Sequence, residues 1–237
     1  MIDVFVRCGV PREDAVICAD VLITSDLWGI ESHGIQRLKM YYDRIRNGVQ
    51  LPVTRMSVIR EGATTALVDG GNGMGHVVAY RCMRMAIEKA MKYGVGAVAA
   101  RNSTHFGIAG YYVMMAVREG MIGMAITNAR PAVAPTFGVE PMLGTNPLTF
   151  GCPTDEEFPF IIDCATSITQ RGKIEVLDRA GKPTPEGWVI GPDGVPLTDT
   201  KSILRDLVAG TAALLPLGGA GETLGGHKGY GYSTLVE

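Results

Sequence analysis

Apolar residues recur along this chain at two spacings. At the helical spacing, residues 11–28 carry Ala15, Cys18, Val21 and Leu22 on one side, behind Pro11 and the acids Glu13 and Asp14, which predicts a helix. Residues 35–46 predict a second, with Leu38, Tyr42 and Ile45 on one face. Residues 77–93 predict a third. Its apolar side carries Met83, Ala86, Ile87, Ala90 and Met91, its polar side Arg81, Arg84, Glu88, Lys89 and Lys92, and Gly94 ends it. Residues 107–119 predict a fourth, before Gly120. Short apolar runs lie between them. TTALVD at 64–69 predicts a strand, and 95–100, MIGMAIT at 121–127 and FPFIID at 158–163 predict buried strands. The stretch 178–200 is punctuated by Gly181, Pro183, Pro185, Gly187, Pro192 and Gly194, and predicts hairpins or a surface excursion. GGHKGYGYSTLVE at 225–237 reads as a glycine turn entering a helix. Helices alternating with short strands predict an α/β architecture, and no repeat at solenoid or propeller spacing interrupts it.

Composition narrows this picture. The 237 residues are 46% hydrophobic and 19% charged, which excludes a disordered chain. Lys and Arg number 22 against 24 Asp and Glu, so no excess of cations offers a surface for nucleic acid. The five cysteines are widely spaced, odd in number and without a C-x-x-C pair, so neither a disulfide framework nor a metal site is expected. No apolar run reaches the ~18–20 residues of a membrane span, and MIDVFVRCGV has no basic leader region. A reducing compartment, most simply the cytoplasm, is the expectation.

The generic catalytic signatures are absent: no phosphate-loop, nucleophile-elbow or H-E-x-x-H motif occurs. Gly94-Val95-Gly96 follows a helix and opens a strand, the reverse of a Rossmann turn. The cluster Gly70-Gly71-Asn72-Gly73-Met74-Gly75-His76 does follow a strand and precede a helix. Two readings stand for it: amides facing an anion, or a tight turn without a ligand. Each of the four histidines lies in a glycine- or serine-containing turn. His33, Arg37 and Tyr41 follow Ser32 at i, i+4 and i+8, a stripe that suits a carboxylate or, equally, a solvated polar face. His105, in Arg101-Asn102-Ser103-Thr104-His105-Phe106-Gly107, follows a predicted strand, where open α/β sheets place ligands and where an imidazole can exchange a proton. A helix cap is the alternative. Asp163-Cys164-Ala165 also ends a strand, as a helix cap or as a carboxylate for a histidine or a ribose. Gly144-Thr145-Asn146 is a polar turn, and Lys228 is a cation among glycines, suited to a phosphate or an amide carbonyl.

Six segments in order resemble the malate/L-lactate dehydrogenase family: Ser32 to Ile35 with Arg37 and Tyr41, Asp69 to His76, Ser103 to Gly107, Gly144 to Pro147, Asp163 to Ser167, and Gly226 to Gly231. The resemblance implies a large mixed sheet with flanking helices and a non-Rossmann way of binding NAD or NADP. It implies His105 as the general acid/base, with Ser32 and His33 beside it in the catalytic set, and Arg37 and Tyr41 as binders of a small carboxylic acid. Asp163, Cys164, Ala165, Lys228, Asn128 and Ala129 would line the cofactor, bordered by Gly144, Thr145 and Asn146. No metal is implied. Homodimers are usual in the family, and its chains usually continue past the GHKGYG helix. By role the chain divides into a helical part at 1–61, a cofactor-binding α/β part at 62–214, and a return to the first part at 215–237. The expected reaction is hydride exchange between NAD(P) and a 2-hydroxy or 2-oxo acid of the malate or lactate type. The alternatives are a cyclic-imine reductase on the same scaffold, and a cofactor-binding paralogue without turnover.

Overall fold

The computed structural model describes residues 1–237 and forms two compact units. The first comprises Met1–Gly123 and Phe150–Ile161, the second Met124–Thr149 and Ile162–Glu237. These divisions follow contacts, whereas the sequence division at 61 and 214 follows expected role.

In the first unit, α1 (Ile2–Arg7), α2 (Arg12–Leu27), α3 (Leu38–Arg46) and α4 (Gly75–Tyr93) enclose a core of Phe5, Val10, Cys18, Leu22, Tyr41, Ile45, Met74 and Val77. Burying side chains of this size contributes about 1.5–3 kcal/mol each against exposure. Asp14, buried in the first turn of α2, meets Arg81 of α4 at 2.6 Å. That pair fixes α2 on α4, since breaking it strands a buried carboxylate. Two 3-10 turns, Glu31–His33 and Ile35–Arg37, replace the expected first turn of the second helix.

Strands β1 (Ser57–Glu61), β2 (Thr65–Asp69) and β3 (Ala97–Arg101) form a mixed sheet in that order. β1 and β2 are antiparallel, β2 and β3 parallel, with α4 as the crossover. Parallel pairing sets the C-terminal ends of β2 and β3 together, so the loops that follow them, 70–74 and 102–108, lie side by side. α5 (Ala109–Arg118) closes this stretch. The strands β4 (Gly123–Ile126), β5 (Leu148–Cys152) and β6 (Phe160–Cys164) pair in the order β4-β5-β6.

The second unit adds α6 (Arg171–Arg179), β7 (Val189–Ile190), α7 (Thr200–Ala209), β8 (Ala213–Leu214) and α8 (Gly226–Val236). Its core holds Val133, Ile174, Val189, Ile203, Ala212 and Leu214.

The mixed α/β class is as expected, but the strands are shared among three small sheets, not joined in one large sheet. They are short, and Pro131, Pro135 and Pro141 between β4 and β5 remove amides that longer ladders need. The burial expected of β3, β4 and β6 also needs correction. Met124, Ile126, Phe160 and Ile162 are 45–55% exposed, because no element of these 237 residues covers that side. The turn-rich 178–200 carries the end of α6, the strand β7 and the start of α7.

Candidate active site

The expected carboxylate stripe and the expected acid/base histidine meet in the first unit. The Tyr41 hydroxyl lies 2.6 Å from His105 Nδ1, although 64 residues separate them. The Gly107 N–H reaches the same nitrogen at 3.3 Å. An amide can only donate, so Nδ1 is the unprotonated nitrogen of the neutral ring, Tyr41 donates to it, and the proton sits on Nε2. The His33 ring stacks on His105, with centroids 5.6 Å apart and planes 16° apart. Ser32 Oγ is 3.0 Å from His33 Nδ1, and Arg37 Nε donates to the Ser32 carbonyl at 2.7 Å. Ser32 and Tyr41 are buried, while His33, Arg37 and His105 keep part of their surface open.

Local sequence dictates this placement. Gly34 lets the Ser32–His33 turn close onto α2, since a Cβ there would stand 1.7 Å from Asp26 Oδ1. Asp26 also accepts from the Ile35 N–H at 2.8 Å. On the other side, Thr104 Oγ1 donates to the Gly73 carbonyl at 2.8 Å and accepts from the Gly75 N–H at 3.0 Å. The Asn72 N–H bonds the Asn102 carbonyl at 2.8 Å. Asp69 accepts from Gly71 N–H, Asn102 and Arg101, and these bonds, Gly71 first, hold its carboxyl below the usual range. The glycine cluster therefore clamps the loop that carries His105. Its amides at Gly71, Asn72, Gly73, Met74 and Gly75 are already occupied, which decides against the anion reading.

Burial first, and then the neighbouring His33, Arg44 and Arg37, hold the His105 pKa well below 6.5. Burial raises the Tyr41 hydroxyl far above its ordinary value, so it stays a phenol. Two residues here were given no role in the sequence reading. Arg44 is one; its signal was available, since it continues the Arg37–Tyr41 face at i+7 and i+3. His76 is the other. It is fully buried, edge-on to Tyr41 with centroids 4.6 Å apart, and had no signal beyond its turn.

All of the expected cofactor residues lie in the second unit. Asn146 is fully buried: its carbonyl accepts from the Ala129 N–H at 3.0 Å, and its amide donates to the Ser233 carbonyl at 3.0 Å and to Glu237 at 2.8 Å. It thus ties the 129 turn to α8. The Thr145 carbonyl accepts from the Thr166 N–H at 3.0 Å, and the Gly144 carbonyl from Ser233 at 3.4 Å. Thr149 donates to Asp163 at 2.9 Å. Asn128 donates to Glu237 at 3.3 Å and stays exposed, as do Cys164 and Lys228; Ala165 is partly buried. Lys228 stands on the first turn of α8, the helix that carries Ser233. No three His, Cys, Asp or Glu side chains come together as a metal site.

Fold and site together define an α/β protein in which a part-buried imidazole, His105, is bonded to a buried tyrosine and lies in the field of Arg37 and Arg44. The chain belongs to the malate/L-lactate dehydrogenase family, whose model matches residues 1–237. It is 52% identical over its full length to a malate dehydrogenase of Pyrococcus horikoshii, and 42% identical over 99% of its length to an L-sulfolactate dehydrogenase of Methanothermobacter thermautotrophicus. It spans 64% and 65% of those two chains. A crystal structure of malate dehydrogenase from Entamoeba histolytica superposes with a TM-score of 0.98 at 50% identity, over all of this chain and 66% of that one.

Proposed function

We propose that the protein is an NAD(P)-dependent oxidoreductase that interconverts a small 2-hydroxy acid and its 2-oxo acid, malate and oxaloacetate first among them. The observation that carries this reading is the Tyr41–His105 hydrogen bond, set beside Arg37 in one clamp. Arg37 holds the substrate carboxylate, with Ser32 and His33 beside it. Cationic His105 gives its Nε2 proton to the substrate oxygen, and the neutral ring left behind keeps its proton on Nδ1; in the oxidation direction that ring takes the proton back at Nε2. When His105 is cationic, its Nδ1–H donates to the Tyr41 oxygen, because the phenol hydroxyl can turn to either role. Charge building on the carbonyl oxygen is then met by a proton already in place, worth roughly 10²–10⁴-fold. Arg44 adds a second guanidinium to the field on this site. Two cations favour an acid with two negative groups, as malate and sulfolactate have, over lactate.

The second unit's residues fit a nicotinamide dinucleotide by their donor set: the exposed Lys228 ammonium for a phosphate, the Asn128 carboxamide, and the Asp163 carboxylate for hydroxyls. Cys164 and Ala165 line the end of β6, with Ala129, Gly144 and Thr145 beside them and Asn146 holding the turn. When bound, the cofactor supplies or accepts the hydride. The assembly we propose is a homodimer, which sizing in solution checks.

The test mixes NADH or NADPH with oxaloacetate, pyruvate or a cyclic imino acid and follows the loss of reduced-nicotinamide absorbance. Oxidation dependent on oxaloacetate is the expected result. His105→Ala lowers kcat by about 10²–10⁴-fold while cofactor binding persists. Reduction of the cyclic imine alone, or full turnover by His105→Ala, overturns the reading.

A further inference from the structure

His76 is a buried imidazole beside the site that the chemistry above does not use. It begins α4, is wholly buried, and neither ring nitrogen has a hydrogen-bond partner. An unpartnered buried polar group is costly, and where native proteins keep one it calls for an explanation. The surroundings supply it. The His76 ring meets Tyr41 edge-on, with centroids 4.6 Å and planes 63° apart. The ring also lies on the side of Gly107 that a side chain would take, since a Cβ added there would stand 3.6–3.7 Å from the imidazole. Tyr41 and Gly107 are the two residues that donate to His105 Nδ1. His76 therefore touches one partner of the His105 imidazole and faces the other, without belonging to the bond itself. The preceding residue, Gly75, is bonded to Thr104, next to His105 in the chain.

We propose that His76 is a positioning residue: its ring edge holds Tyr41 against His105 Nδ1, so that the imidazole is held with Nε2 turned to substrate. The titratable groups that face it are the Tyr41 phenol and His105. The proposal rests on the acid/base reading of His105, so its test includes a readout that needs no turnover.

The experiment records side-chain ¹⁵N NMR of the histidines, kcat and KM for the oxo acid, and melting temperature. It compares the full chain with His76→Leu and His76→Phe. In the parent, His105 shows one tautomer with Nδ1 unprotonated. In His76→Leu the two tautomers mix and kcat falls about tenfold or more, while KM stays within about threefold. The melting temperature does not fall, because leucine removes two unpartnered polar atoms from the core. His76→Phe keeps the aromatic edge and restores both tautomer and kcat. A His76→Leu protein with the parent's single tautomer and parent kcat overturns the proposal. So does a folded His76→Phe protein that fails, which also decides the case if His76→Leu does not fold. If the parent turns over no oxo acid, the reaction reading fails and the NMR comparison alone decides the positioning role.

Discussion

His105 is an imidazole that its surroundings keep neutral. Burial comes first among the causes, followed by the fields of His33, Arg44 and Arg37, and all of them push its pKa below 6.5. A bound substrate carboxylate offsets those fields and restores the affinity for a proton. Hydroxy-acid oxidation needs the neutral ring with its proton moved to Nδ1, donated to the Tyr41 oxygen, so that Nε2 is free to accept. Its kcat/KM is therefore flat at and above pH 6.5 and falls only at more acid pH, which a pH–rate profile checks. A limb centred above neutral pH contradicts this. His76 carries the same sign into stability. Burial pushes its pKa down from 6.5 to about 3, so below 6.5 the unfolded chain takes up a proton that the folded chain refuses. Its effect is absent above 6.5 and lowers stability progressively as pH falls toward 3. Urea midpoints at neutral pH and at about pH 4.5 show a smaller acid loss for His76→Leu than for the parent. Equal losses contradict the burial of a neutral imidazole.

At the scale of elements, the working part is the pair of loops after β2 and β3, stitched by Thr104. Gly75 sits where a Cβ would stand 2.1 Å from the Thr104 carbonyl oxygen, a backbone atom that cannot turn aside. Gly75→Ala must push the 104–107 loop away, so kcat falls by about tenfold or more while α4, with its remaining 18 residues, keeps the helical signal in circular dichroism. A parent kcat in that variant separates the loop from catalysis. Much of this was legible in the sequence. The 35–46 periodicity put Arg37 and Tyr41 on one face, and the order strand, polar loop, helix put His105 at a strand's C-terminal end. Their meeting was not legible, because the Tyr41–His105 bond spans 64 residues and depends on how α3 docks. Glycines and prolines hid α6 and α7, although Asp199 caps α7 by accepting from the Ser202 N–H at 3.0 Å, and Ile203, Leu204 and Leu207 follow at helical spacing. The burial of β3, β4 and β6 was misjudged because an apolar strand says nothing about whether its face is covered. The residues named for the cofactor were reached through family resemblance, and only Asn146 then shows why its residue type is needed. A buried amide that accepts once and donates twice has few substitutes.

At the scale of the molecule, the residues proposed for the acid and those proposed for the cofactor fall in different compact units. Ser32, His33, Arg37, Tyr41 and His105 lie in the first, and Asn128, Ala129, Gly144, Thr145, Asn146, Asp163, Cys164, Ala165 and Lys228 in the second. Each set is held by bonds inside its own unit: the first by Gly34, Thr104 and the Tyr41–His105 pair, the second by Asn146 and Thr166. Substitutions in one unit should then leave the other's equilibrium binding untouched. Arg37→Lys keeps the charge but loses the planar fork, and a lost charge-assisted bond of about 1.5–3 kcal/mol raises the oxo-acid KM roughly 10–100-fold. Its dissociation constant for reduced cofactor, read by fluorescence titration without substrate, stays at the parent value. Lys228→Ala does the reverse: cofactor affinity falls by a similar factor of about 10–100, while the oxo-acid KM at saturating cofactor does not move. If Arg37→Lys weakens the binary cofactor complex as much as it raises KM, the two sets are not independent. The acid clamp would then be part of what holds the dinucleotide, and the assignment of Arg37 to the substrate alone would fail with it.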